Sequence, residues 1–199
     1  IGAFLRDFEP LMKDLFRKPE KVKQACEALT PVLTQVGKAT GKIAKETTGS
    51  EIVFCPFWYN TYLSPDVFRE FHWPYAKEII TELADAGFTP LVNPQGRYDH
   101  LLDTFLELPE KEFIAWFDKT DLTEARDTIE DHACLAGGIP SSLLIGGSTN
   151  KVKKHVKKTV NELKTGGGFI FSTEFNAMGD AKIENVKAMT EAVRKHGQY

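Results

Sequence analysis

Apolar residues recur at helical spacing at the start of this 199-residue chain and then break into short runs. Phe4, Leu5, Phe8, Leu11, Met12, Leu15 and Phe16 predict an amphipathic helix over 4–16, kinked or entered at Pro10. A second helix begins in the Arg-Lys-Pro-Glu-Lys-Val segment from Arg17, where Pro19 sits early enough that its missing N–H costs nothing. Val22, Cys26, Leu29, Leu33 and Val36 form its stripe, and it ends near Thr47 to Ser50. Residues 52–57 are then too short for a helix and rich in strand formers, and Ser64-Pro65-Asp66 opens a helix with Ser as cap and Pro in the first turn.

The same succession repeats. Strands are predicted over 89–92, 113–117, 133–136 and 169–171, and helices over 98–106, 123–129, 150–163 and 183–194. Short continuous apolar runs are how strands buried on both faces of a parallel sheet read, so the fold class is α/β. Gly87, Gly137-Gly138 and Gly166 to Gly168 fall at predicted element boundaries, as turns and helix ends require. No linker or low-complexity segment divides the chain, which reads as one domain or part of one.

A doubly wound nucleotide-binding sheet normally carries a Gly-rich loop between strand and helix, and neither G-x-G-x-x-G nor G-x-x-x-x-G-K-[ST] occurs here. The alternative is a (β/α)8 barrel, whose catalytic groups come from the ends of several strands. Five units are fewer than such a barrel needs.

Composition narrows the setting. Twenty-five Lys and Arg against 28 Asp and Glu leave a net charge of −3, which gives no support to a nucleic-acid partner. The basic run Lys151, Lys153, Lys154, Lys157 and Lys158 is interleaved with Val152, Val156 and Val160, the pattern of a solvated helix face. Cys26, Cys55 and Cys134 are odd in number and widely spaced, as reduced thiols in a cytoplasmic protein would be, and Cys134 reads as core. No run approaches a membrane span, and the start lacks a signal-peptide pattern. The chain does not begin with Met, which suits a processed, cleaved or truncated chain, and a five-unit arc leaves two open sheet edges, so missing upstream residues or a partner that completes the sheet are expected.

Several segments together resemble the uroporphyrinogen decarboxylase superfamily, which includes the decarboxylase and corrinoid-dependent methyltransferases such as those acting on coenzyme M. They are LRDFEPLMKDLFRKPEKV, YLSPDVFREFHWPYAKEII, AGFTPLVNPQG, FDKTDLTEAR, LAGGIPSSLLIGGSTNKVKKHVKKTV, GGGFIFSTEF and IENVKAMTEAVRKHG. Each is loose, but all stand in the family's order and spacing across nearly the whole chain. The resemblance implies a TIM-type (β/α)8 barrel, of which this chain would be the C-terminal portion with about five βα units.

Departures from that pattern bear on chemistry. The methyltransferase branch binds zinc through a strand-end His-x-Cys-Gly and a later Cys. Here those places read Asn93-Pro94-Gln95-Gly96 and Phe171-Ser172-Thr173-Glu174-Phe175. Amides are poor zinc ligands, so no metal is expected. In the decarboxylase branch the propionate-binding Arg residues and the substrate Asp lie in early strands absent from this chain, and a His near the last strand end is replaced by Glu174 or Phe175.

Read from the residues, the strand-end loops offer Trp58, Tyr59, Asn60 and Tyr62 after the first strand, and Asn93, Gln95 and Arg97 after the second. Asp118 follows the third, and Glu174 and Asn176 follow the fifth. Such a mouth can stack and hydrogen-bond a flat or methylated substrate. Glu174 is the candidate for proton handling or cation binding, against a plain salt bridge to Lys or Arg. Asp118 is a candidate substrate contact, against a turn or cap residue. Trp58 and Tyr59 could equally cover the barrel end, and Arg97 could hold an anion. His72, His100, His132, His155 and His196 do not cluster and read as packing or surface residues.

Three functions remain open. The first is a corrinoid-linked methyltransferase acting on a small methylated substrate without a thiol-activating zinc. No cofactor would be bound directly; the corrinoid, a cobalamin, would be presented by a partner protein. The second is uroporphyrinogen decarboxylase itself, in tetrapyrrole biosynthesis, and the third a non-catalytic binding module. Besides the small-molecule substrate and the corrinoid protein, the expected partners are an upstream barrel half or a second copy of the chain, with neither nucleic acid nor membrane involved.

Overall fold

The computed structural model describes residues 5–58, 60–175 and 179–198. Two helices come first, α1 (Phe8–Arg17) and α2 (Pro19–Thr48), followed by β1 (Ile52–Phe57), α3 (Pro65–Phe71) and α4 (Trp73–Asp85). Next are β2 (Thr89–Pro94), a 3-10 helix (Asp99–Glu107), β3 (Ile114–Trp116), α5 (Leu122–Ile129) and β4 (Cys134–Ile139). The chain continues through α6 (Ser141–Gly146), α7 (Thr149–Leu163), β5 (Phe169–Thr173) and α8 (Ile183–His196).

The five strands pair in chain order, β1 to β5, and every pairing is parallel. That is an arc of a TIM-type barrel, with each strand followed by its covering helices.

The strands position the site through alternation. Val53 and Phe57 of β1 are buried toward the helices, while Ile52 and Phe54 on the opposite face are 45% and 41% exposed. Parallel register carries this face along the sheet: Phe54 pairs with Leu91, Leu91 with Ile114, and Trp116 with Ala136. Phe54, Asn93 and Trp116 therefore share the inner face.

On the helix side, Phe68, Trp73, Tyr98, Phe105, Phe113 and Phe117 form the centre of one core cluster. A second cluster, around Ile139, Leu144, Val152, Val156 and Val160, joins β4 to α6, α7 and α8. Each fully buried side chain of this size stabilises by roughly 1.5–3 kcal/mol.

Several boundaries differ from the pattern reading. The first helix is interrupted at Asp7, whose φ of 67° is left-handed, so α1 begins at Phe8. Leu5 and Phe16 of its stripe are 71% and 78% exposed. On α2 the sealed positions are Thr30, Thr34 and Gly41, one step round from the apolar stripe, because a close crossing needs small residues. A Cβ on Gly41 would lie 2.8 Å from Phe88 and Val53.

The helix opened by Ser64 is short. It stops at Phe71 and restarts at Trp73, where Pro74 cannot donate to the preceding turn. Gly137 and Gly138 are strand residues of β4 rather than a turn, and α6 falls between β4 and the helix predicted from residue 150. Gly137 is required by contact as well as conformation. Its φ is 135°, and a Cβ there would lie 2.8 Å from the Phe117 carbonyl oxygen.

Candidate functional site

The C-terminal ends of β2, β3, β4 and β5 converge on one carboxylate and its neighbours. Asp118, just past β3, accepts a hydrogen bond from the Gly96 N–H at 3.4 Å through Oδ2 and from the Phe175 N–H at 3.2 Å through Oδ1. It therefore ties three strand ends together. It is not the cap of α5: Asp121 does that, accepting from Thr123 and Glu124 at 2.8 and 3.2 Å. Burial, reinforced by the nearby Glu174 charge, pushes the Asp118 carboxyl up from its ordinary value against the two N–H bonds that lower it.

Glu174 follows β5 and accepts from the Ser141 backbone N–H at 3.1 Å and from the Ser141 hydroxyl. The salt bridge considered for it is not formed; its partner is a serine at the start of α6. Among the described residues neither Asp118 nor Glu174 makes an ion pair with Lys or Arg.

Beside the two carboxylates lies an aromatic wall. Phe175 stacks on Phe54 with ring centroids 5.5 Å apart and meets Trp116 edge-on at 5.6 Å. Trp116 reaches across β4, where its register partner is the small Ala136, and donates from Nε1 to the Thr173 carbonyl at 2.9 Å. Asn93 underlies this wall. Its Nδ2 donates to the Trp116 carbonyl at 2.8 Å, and its Oδ1 is buried without a hydrogen-bond partner.

Asn93, Asp118 and Glu174 are thus brought together, but Asn93 belongs to strand β2 and is fully buried rather than lying in a loop. Gln95 is half-buried at the end of β2, its N–H 3.4 Å from the Phe57 carbonyl. Arg97 is exposed. Trp58 is turned to a different feature, a largely apolar groove of about 980 Å³ between α1, α2 and β1. Tyr62 is 70% exposed and packs on Phe8. Tyr59 and Asn176 lie outside the described residues, as does the side chain of Asn60.

The sequence pattern does not single out Phe54, Trp116, Phe175 or Ser141 as site residues. Alternation in Ile52–Phe57, which puts Phe54 opposite Val53 and Phe57, was the available signal for the first. Ser141 carried none, because its role depends on α6.

The groove carries no reactive thiol. Burial raises Cys26 and pushes Cys55 up to about 12, so both are protonated at neutral pH. Among the described residues no three His, Cys, Asp or Glu side chains assemble into a metal-binding group. No described helix is long and apolar enough to cross a membrane.

The sequence pattern of uroporphyrinogen decarboxylase (URO-D) matches residues 1–196. The chain belongs to this family. A curated relative, uroporphyrinogen decarboxylase from Chlorobaculum parvum, is 21% identical over 199 residues, covering 98% of this chain and 54% of its own length. Among solved structures, a methyltransferase from Methanosarcina mazei superposes with a TM-score of 0.67 at 18% identity, covering 94% of this chain and 53% of that one. The chain spans about half the length of both, and the likeness to the methyltransferase shows the fold.

Proposed function

We propose that this chain is the C-terminal part of a uroporphyrinogen decarboxylase-family methyltransferase. It would remove a methyl group from a small methylated substrate, and a corrinoid carried by a partner protein would supply the methyl acceptor. The observation that carries this reading is the charge of the site. Asp118 and Glu174 stand at the strand ends without a basic ion-pair partner among the described residues, beside Phe54, Trp116 and Phe175. An aromatic wall suits methyl groups, which it meets with apolar area and polarisable faces.

No thiol-activating zinc fits the described donors, since Asn93 and Gln95 occupy one expected ligand turn and Glu174 the other. The chain's own residues would instead bind and orient the substrate. Trp116 is held by its bond to the Thr173 carbonyl, the Phe175 ring by packing on Phe54 and Trp116, and Glu174 by Ser141. Such fixed side chains hold a substrate in one pose, which is where most of an oriented transfer's advantage lies.

Decarboxylation of a porphyrinogen is the second reading, motivated by the Chlorobaculum parvum relative's name. Its propionate-binding Arg residues would lie in strands outside this chain, and the described strand ends supply the carboxylates Asp118 and Glu174. The test is spectrophotometric: the protein containing this chain, given cob(I)alamin and a panel of methylated amines and ethers, should consume cob(I)alamin with at least one of them. Glu174→Gln should slow that consumption about tenfold or more, and no consumption with any substrate overturns the proposal.

A further inference from the structure

We infer that Trp116 and Asp118 are positioning residues for Glu174, because each pins one of the two peptide units on either side of its Cα. What Glu174 does rests on the methyl-transfer reading; where it is held does not.

The Trp116 indole N–H donates to the Thr173 carbonyl at 2.9 Å, and the Asp118 carboxylate accepts from the Phe175 N–H at 3.2 Å. Those two groups belong to the peptide units 173–174 and 174–175. A peptide unit is planar, so fixing both leaves the backbone dihedrals of Glu174 little freedom and sets the direction of its Cα–Cβ bond. The far end of the side chain is fixed as well, by the Ser141 backbone N–H at 3.1 Å and by the Ser141 hydroxyl. Glu174 is thus held on both backbone sides by β3 and the residue just past it, and at its carboxylate by the start of α6.

The bonds from β3 take an unusual route. β4 lies between β3 and β5, and neighbouring strands stand about 4.8 Å apart, so the outer two are separated by about 10 Å. β4 leaves the way open: residues 136–138 are Ala-Gly-Gly, which carry one methyl group between them, and Ala136 is the register partner of Trp116. Phe175 leans back over this gap, its ring meeting Trp116 at 5.6 Å and Phe54 at 5.5 Å. Both positioning residues are braced in turn from β2. Asn93 donates to the Trp116 carbonyl at 2.8 Å, and the Gly96 N–H donates to the second Asp118 oxygen at 3.4 Å. A chain of bonds therefore runs from β2 through β3 to the peptides that flank Glu174.

Placement of this kind matters for rate, since a reacting group displaced by about 1 Å can lose about a hundredfold. Asp118→Asn frees one flanking peptide without removing the aromatic contacts. It should lower kcat at nearly constant KM, the pattern of an interaction realised in the transition state.

The experiment follows the Ser141 amide resonance by two-dimensional NMR of the 15N-labelled protein containing this chain, as a reporter on the Glu174 carboxylate, beside the kinetics of cob(I)alamin consumption. Trp116→Phe, which keeps a ring and loses the N–H, and Asp118→Asn should each move the Ser141 resonance toward its position in Glu174→Ala, where the bond is absent. Asp118→Glu, which restores a carboxylate, should return it part of the way. In the kinetics Asp118→Asn should lower kcat about tenfold with KM changed by less than about twofold. Ala136→Val fills the gap without removing either bond and should shift the Trp116 indole N–H resonance; an unshifted indole would strike out the part given to β4. A Ser141 resonance unmoved in both Trp116→Phe and Asp118→Asn overturns the inference, whatever the activity, and so does an undiminished kcat in Asp118→Asn. A moved resonance in a protein that consumes no cob(I)alamin with any methylated substrate sustains the positioning and refutes the reaction.

Discussion

Asp118 accepts the backbone N–H of Phe175 at 3.2 Å, so a residue after β3 holds the segment that follows β5, with β4 between them. The other carboxylate oxygen holds Gly96 after β2. Asp118→Asn keeps one acceptor oxygen and replaces the other with a donor facing an N–H. It should lower stability by about 1–2 kcal/mol in urea denaturation. An unchanged midpoint would show that the tether contributes nothing.

Asn185, 1% exposed in α8, donates to the carbonyls of Leu144 and Gly147, both at 2.9 Å. Removing the amide in Asn185→Ala leaves two carbonyls at the end of α6 without that donor. A loss of about 1–3 kcal/mol is expected, and faster hydrogen exchange confined to 141–150 and α8 would locate it.

His72 packs edge-on to Phe57 at 4.7 Å and against Phe68 at 5.1 Å, and burial pushes it down to about 3 from an ordinary 6.5. Between those values the unfolded chain binds a proton that the folded chain does not. Stability therefore falls as pH drops from about 6.5 toward 3, by up to about 1.4 kcal/mol per pH unit. His72→Phe should flatten that dependence between pH 7 and 5. Parallel curves for the two proteins would assign the slope to other groups.

Gly137 combines a φ of 135° with a 2.8 Å approach of any Cβ to the Phe117 carbonyl oxygen. Gly137→Ala should cost about 1–3 kcal/mol through strain alone, visible as a lowered thermal midpoint. Gly49, at a helix end with open space around it, serves as the control: Gly49→Asn should change the midpoint little.

The fold was legible because each strand is a short apolar run and each helix repeats at its own period; all five strands lie where the sequence places them. Their ends were less so. Asn93-Pro94 reads as a loop because Pro breaks strands, yet β2 continues through it, pairing with Pro56-Phe57. Gly137-Gly138 reads as a turn because glycine is permissive, yet here it serves close packing inside β4. Glu174 and Asp118 were visible as strand-end carboxylates, whereas the bond to Ser141 and the tether to Phe175 depend on three-dimensional convergence of segments up to 57 residues apart. The aromatic wall was hidden for the same reason: Phe54, Trp116 and Phe175 come from three different strands and strand ends.

The proposed reaction moves a methyl group rather than a carboxyl group. The direct measurement is a paired assay of the protein containing this chain, scoring CO2 release from uroporphyrinogen and cob(I)alamin consumption with methylated amines and ethers. Methyl transfer predicts cob(I)alamin consumption and no CO2 above the uncatalysed rate. Stoichiometric CO2 release without cob(I)alamin consumption would contradict it.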